Sequence, residues 1–223
     1  MTAPRIRHSR VSVEGPNGVG KSYLIDQVAV RLEDTVTPLA ELPDVGADRL
    51  SGRLVAALQA GGDPFLRTGF PLAETFTLLG LAVRRYEHVA GAFAGKPTVV
   101  LEDRGTDTVA VYQAVILTED ADHESEVVLA LLDTAAAWCP APDLSVLLLD
   151  DPDLCLVRWE ERTGVSATPD QRRLMARAHD LYLWLARRQP HRYTIIDRRE
   201  LNEEQTVEAL AAVCRALASR EER

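Results

Sequence analysis

Lys21 and Ser22 close the run Gly15-Pro16-Asn17-Gly18-Val19-Gly20-Lys21-Ser22, whose spacing is that of a phosphate-binding loop. Small residues let successive backbone N–H groups converge on phosphate oxygens, and a helix that starts where the loop ends adds its positive pole. In such a loop the lysine reaches the β- and γ-phosphates of a nucleoside triphosphate, and the hydroxyl after it ligates Mg2+. ATP and Mg2+ are the expected cofactors. Gly15, Asn17, Gly18, Val19 and Gly20 would surround the phosphates, Lys21 and Ser22 would act on them and on the metal, and Tyr23 would follow at the helix start. The strand–loop–helix context is present, because Arg10-Val11-Ser12-Val13-Glu14 alternates ahead of the loop and a helical pattern follows from Tyr23.

Asp103 and Arg104 form the second candidate pair. Asp103 closes a β-branched run and is placed to hold Mg2+ through water or to orient an attacking oxygen. Arg104 beside it offers a bidentate fork to an anionic acceptor. The same pair would also suit a helix cap beside a surface arginine. Arg158 and Arg162 lie one helical turn apart, so both guanidiniums share a face. They would neutralise charge on a transferring phosphoryl group, or simply solvate that face in company with Glu161. Glu41 is a candidate base, acceptor ligand or turn cap. Arg53 and Arg84 sit on helices expected to flank the acceptor, and Tyr112 and Phe70 could stack on a planar ring or serve as core and rim aromatics.

The elements that must position these residues alternate. Leu24, Ile25, Val28 and Leu32 mark a helix of about three turns, and Thr35 to Ala40 a short strand whose Pro38 suits a sheet edge. Helices are expected over 47–60, ended by Gly61-Gly62-Asp63-Pro64, and over 71–93. Pro97 to Glu102 reads as a strand buried on both faces, followed by helices over 108–117 and 124–138. Leu144 to Leu149 is the next buried strand, and a carboxylate among Asp150, Asp151 and Asp153 should cap the helix through Leu156 to Arg162. A helix over 169–188, a strand at Tyr193 to Ile196 and a helix over 203–217 complete the pattern, with 220–223 as a frayed tail. This βα alternation predicts an α/β fold with a doubly wound sheet of five parallel strands. In such sheets ligands lie outside the carboxyl ends of the strands, where the loop, Glu41, Asp103-Arg104 and Asp150 all fall.

Bulk properties narrow the class. A chain of 223 residues with 46% hydrophobic and 26% charged residues suits one globular domain over 1–223. A membrane span needs roughly 20 apolar residues, and no run approaches that. The start lacks the apolar core of a secretory signal, so the cytoplasm is the expected location. A net charge of −9 disfavours a nucleic-acid coat. Only Lys21 and Lys96 among the 25 basic residues are lysine, which makes the loop lysine stand out. Cys139, Cys155 and Cys214 have no disulfide or zinc spacing and are expected to be reduced.

Together these motifs resemble the thymidylate kinases, within the wider P-loop nucleotide and nucleoside kinases, over nearly the whole chain. Val13-Glu14-Gly15 through Ser22 is similar to that family's F-E-G-x-D-G-x-G-K-S, and Val99 to Arg104 to its strand ending in D-R. Pro142-Asp143-Leu144 through Leu149-Asp150-Asp151-Pro152, leading to Arg158 and Arg162, looks like its P-D-L-…-L-D-x-x-P strand and arginine-bearing lid. The resemblance implies a P-loop NTPase-type sheet with helices on both faces, a short lid at roughly 158–170, and a homodimer. It implies that Arg104 holds an acceptor phosphate; Glu14, Glu41, Arg53, Arg84 and Tyr112 are the other residues expected on the acceptor side. Departures are specific: Asn17 replaces an acidic loop residue, Ala40-Glu41-Leu42 stands for R-E-P, and Gly105 replaces the aromatic after D-R. Gly80 precedes Arg84 by one turn where the family has a stacking phenylalanine.

The expected activity is ATP- and Mg2+-dependent phosphoryl transfer to a nucleoside monophosphate, with an altered acceptor pocket. Two alternatives stay open: a kinase for a neutral nucleoside or metabolite hydroxyl, and a nucleotide-binding switch without an acceptor. The partners are small molecules in each case. Against the switch, the chain lacks the N-K-x-D guanine-reading motif and the transporter L-S-G-G-Q.

Overall fold

The computed structural model describes residues 9–41, 50–92 and 99–221. In chain order the elements are β1 (Arg10–Glu14), α1 (Lys21–Arg31), β2 (Val36–Leu39), α2 (Leu50–Gln59), α3 (Pro71–Ala92), β3 (Val99–Asp103) and α4 (Thr106–Leu117). They continue with α5 (Glu124–Ala136), β4 (Leu144–Leu149), α6 (Pro152–Thr163), α7 (Pro169–Arg188), β5 (Tyr193–Asp197) and α8 (Glu203–Glu221). Helix starts expected at Ala47, the turn at Pro43-Asp44, the helix end at Phe93, the strand start at Pro97 and the last two tail residues lie outside the described residues.

Five strands form one sheet in the order β2-β3-β1-β4-β5, and every neighbouring pair is parallel. Pro38 cannot donate to a ladder, and β2 is an edge strand. Side chains alternate across the sheet, so each inner strand feeds two cores. Along β4, Leu147 and Leu149 pack with α4 and α7 residues such as Ala110, Ala114, Leu181 and Tyr182. Val146 and Leu148 pack on the other face with Leu24 and Val28 of α1 and Leu210 and Cys214 of α8. A strand covered on both faces needs the continuous apolar runs seen at 99–101 and 146–149. A smaller cluster joins Val55 of α2 to Leu78, Leu79 and Leu81 of α3 and Val109 of α4.

Local signals set the helix ends. Asp151 accepts from the amides of Asp153 and Leu154, with Pro152 in the first turn, so α6 begins four residues before Leu156. It stops at Gly164, whose φ of 71° suits only a residue without a Cβ penalty. α7 opens with a reciprocal capping box between Thr168 and Gln171. α4 starts at Thr106, two residues earlier than the periodicity predicts, and the amide of the Gly105 that precedes it donates to the Glu14 carboxylate at 2.8 Å. α8 runs on to Glu221, past the expected end at Leu217.

Candidate active site

The loop between β1 and α1 is held open by glycine. Gly15 and Gly18 adopt φ of 133° and 81°, and a Cβ on them would lie 2.4 Å from the Leu148 carbonyl oxygen and 1.9 Å from that of Cys155. No other residue type permits both the conformation and the close approach. Lys21 is the first residue of α1 and almost fully buried, and its Nζ donates to the carbonyls of Gly15 at 2.9 Å and Pro16 at 2.8 Å. Burial first, then the charge of Arg104, lowers its pKa to about 7 against the pull of Asp103, Glu41 and Glu14. An ammonium so poorly compensated is poised for added negative charge.

Beside the lysine, Ser22 Oγ donates to Asp103 Oδ2 at 2.5 Å, because β3 lies next to β1 with Val13 opposite Asp103. The other Asp103 oxygen, Oδ1, is buried with no hydrogen-bond partner among the described residues. A hydroxyl, a carboxylate with an orphaned oxygen and an anion-seeking loop fit Mg2+, which keeps waters and takes one or two carboxylates with substrate phosphates. No cluster of three or more His, Cys, Asp or Glu side chains suited to a metal occurs among the described residues.

Arg104 turns the other way. Its φ is 57°, a left-handed conformation rare for a residue with a side chain. Its guanidinium donates to Asn17 Oδ1, and Nε lies 2.6 Å from Glu41 Oε1 without hydrogen-bond alignment. Both partners line a cavity of about 150 Å3 together with Phe65, Arg85, Arg104 and Tyr112. Tyr112 stacks on Phe65 at 5.9 Å, and its buried hydroxyl has no partner of hydrogen-bond geometry among the described residues. Burial first raises that phenol's pKa. An aromatic wall, an arginine and an orphaned hydroxyl around one cavity suit a planar anionic ligand.

Several expected residues lie elsewhere. Arg84 is exposed, and its neighbour Arg85 lines the cavity. Leu78, Ala82, Arg85 and Val89 follow the buried stripe of α3, and that spacing was the available signal. Arg53 is exposed on α2, off the Gly52 and Val55 face, and does not line the cavity. Glu14 is fully buried beneath the turn after Asp103 rather than in the cavity, bound to the Gly105 amide and, at 2.5 Å, to the Thr108 hydroxyl. Burial and then Asp107 raise its pKa to about 7. Val19 contributes only its backbone, its side chain being core. The Tyr23 hydroxyl is tied at 2.5 Å to Glu203 of α8, away from the loop. Phe70 is 71% exposed; Phe65 supplies the stacking ring.

On the donor side, Arg158 donates to Asp150 Oδ2 at 2.6 Å, while Arg162, one turn on, is exposed. Arg198, at the end of β5, donates to the Val19 carbonyl and lies 3.9 Å from Asp150. Sequence reasoning passed over it, although the rule that places sites at strand carboxyl ends applied to β5 as well.

No family model matches the chain. It is 31% identical over 205 residues to a thymidylate kinase of Cupriavidus taiwanensis, covering 86% of this chain and 91% of that protein. It is 29% identical over 197 residues to a thymidylate kinase of Geobacter sulfurreducens, covering 84% and 87%. A probable thymidylate kinase of Methanocorpusculum labreanum is 27% identical over 187 residues, with 84% and 88% covered. With a parallel sheet in the order β2-β3-β1-β4-β5, a phosphate loop on β1 and Asp103-Arg104 beside it, the chain belongs to the thymidylate kinase family of nucleotide kinases.

Proposed function

We propose that this protein transfers the γ-phosphoryl group of ATP to a nucleoside monophosphate bound in the Phe65–Tyr112 cavity. The observation that carries the reading is the divergence of two adjacent residues: Asp103 meets Ser22 of the donor loop, and Arg104 meets Asn17 and Glu41 at the cavity. In this reading donor and acceptor would lie on either side of one turn, and positioning of this kind supplies much of the acceleration in phosphoryl transfer.

In this reading Lys21 exchanges the Gly15 and Pro16 carbonyls for phosphate oxygens, Ser22 and Asp103 hold Mg2+, and Arg104 clamps the acceptor phosphate. When bound, the ion neutralises charge between the β- and γ-phosphates. A monophosphate oxygen is already ionised near neutral pH, its second pKa being about 6, so the acceptor needs no protein base. Arg158 and Arg162 belong to a lid at 158–170 and would close over the donor. The chain acts as one domain, in the cytoplasm, as a homodimer.

The acceptor pocket is altered from a thymidine pocket. Asn17, Ala40 and Gly105 support this, as does Gly80, one turn before Arg84 where the family has a stacking phenylalanine. A second reading, transfer to a neutral hydroxyl with Glu41 as base, is favoured by the ion pair that already occupies Arg104. Arg104→Ala separates them: for a monophosphate acceptor KM should rise at least tenfold, whereas an unchanged KM supports the neutral acceptor.

A further inference from the structure

The turn that carries Asp103 and Arg104 is hydrogen-bonded from two sides. The Arg104 amide donates to the Val13 carbonyl at 3.2 Å, and the Gly105 amide donates to Glu14 Oε1 at 2.8 Å. From the opposite side Arg85 donates to the Arg104 carbonyl at 2.7 Å and, from both terminal nitrogens, to the Asp103 carbonyl at 3.2 Å. It also donates to the Leu39 carbonyl at 2.7 Å, which ties in the end of the edge strand β2. A left-handed residue with a side chain persists only where its surroundings over-determine it. Gly105 is part of the device. A Cβ there would come 2.9 Å from Glu14 Oε1 and 3.0 Å from Ser12 Cβ, so a side chain would have to shift the carboxylate that holds the amide.

We propose that Arg85 and Glu14 are positioning residues that clamp the Asp103–Arg104 turn in its left-handed form, holding one side chain on the donor and the next on the acceptor. In a regular strand the two side chains would alternate across the sheet. The left-handed backbone at Arg104 ends that regular geometry, and the clamp keeps Arg104 in this conformation. Arg85 lines the cavity while its terminal nitrogens are committed to three carbonyls, and its Nε is buried with no hydrogen-bond partner among the described residues. Glu14 Oε1 can accept whether or not the carboxyl carries a proton. The functional part of this inference rests on the kinase reading above; the clamp itself does not.

The test measures kcat and KM for two nucleoside monophosphates with different bases, together with amide hydrogen exchange at Arg104 and Gly105, in Arg85→Lys, Glu14→Leu and Glu14→Gln. Arg85→Lys and Glu14→Leu should lower kcat at least tenfold, alike for both acceptors, and speed exchange at Arg104 and Gly105 at least tenfold. ATP affinity should stay within about threefold. Glu14→Gln retains an acceptor oxygen for Gly105, so it should recover most of the turnover lost in Glu14→Leu. A change of more than tenfold in the kcat/KM ratio between the two acceptors in Arg85→Lys would make that residue a base reader and overturn the clamp. Unchanged exchange at Arg104 and Gly105 in both disruptive variants would also overturn it. If Glu14→Leu does not fold, Arg85→Lys decides. A wild-type chain that phosphorylates nothing sinks the kinase reading alone, and the exchange measurement still decides the clamp.

Discussion

Ser22 and Asp103, 81 residues apart in the chain, meet at 2.5 Å where two neighbouring parallel strands end. That contact joins the donor loop to the turn that faces the acceptor. Because one Asp103 oxygen is already engaged by the hydroxyl and the other is buried and orphaned, the two residues should act as a unit. Ser22→Ala and Asp103→Asn should each lower kcat about a hundredfold and raise the Mg2+ concentration needed for half-maximal rate. The double variant should lose much less than the product of the single losses, since both remove the same interaction. Steady-state rates over a Mg2+ series check this; independent, multiplicative losses would contradict it.

Gly18→Ala tests the loop's geometry. The added methyl would meet the Cys155 carbonyl oxygen at 1.9 Å in a backbone with φ of 81°. Overlap with backbone cannot be relieved by a side-chain swing, so the loop or α6 must move. A stability loss of about 3 kcal/mol or more is expected, on the order of 10 °C in Tm for a chain this size, with ATP affinity falling in parallel. Calorimetry and nucleotide titration of the variant provide the comparison.

Glu14 predicts a pH dependence of stability. Its folded pKa is raised to about 7 from the ordinary 4.5, by burial and then by Asp107. Between those values the folded protein binds the extra proton, so the stability this group contributes is fully present below about pH 4.5 and is lost as pH rises through 7. At 1.36 kcal/mol per unit, the loss is on the order of 3 kcal/mol. Glu14→Gln removes the titration, so the stability difference between wild type and variant should shift in the variant's favour across that window. Urea unfolding at pH 4.5, 5.5, 6.5 and 7.5 measures it, and parallel profiles would contradict it.

Much of this architecture was legible in the sequence because its signals are local and strong. The apolar runs at 99–101 and 146–149, the Gly-rich loop and Pro169 after Thr168 each mark an element through local signals that need no distant partner. The donor loop and Asp103–Arg104 were readable for the same reason. What failed was register and reach. Arg84 and Arg85 both look helical and basic, and only the face that α3 buries selects Arg85. Phe65 lies in a breaker-rich loop with no periodicity to say which way a ring turns. The position of Glu14 depends on the Gly105 amide, ninety-one residues away. Arg198 is visible only once β5 is known to end beside the loop.

Phosphoryl transfer to a monophosphate is measured most directly as ATP-dependent product formation by the wild-type protein with matched pairs of nucleosides and nucleoside monophosphates, with Lys21→Ala as the blank. Diphosphate product is expected from at least one monophosphate, little or none from its nucleoside, and a loss of several orders of magnitude in Lys21→Ala with the fold intact. Product from nucleosides alone, or Lys21→Ala turning over at a near-normal rate, would contradict it.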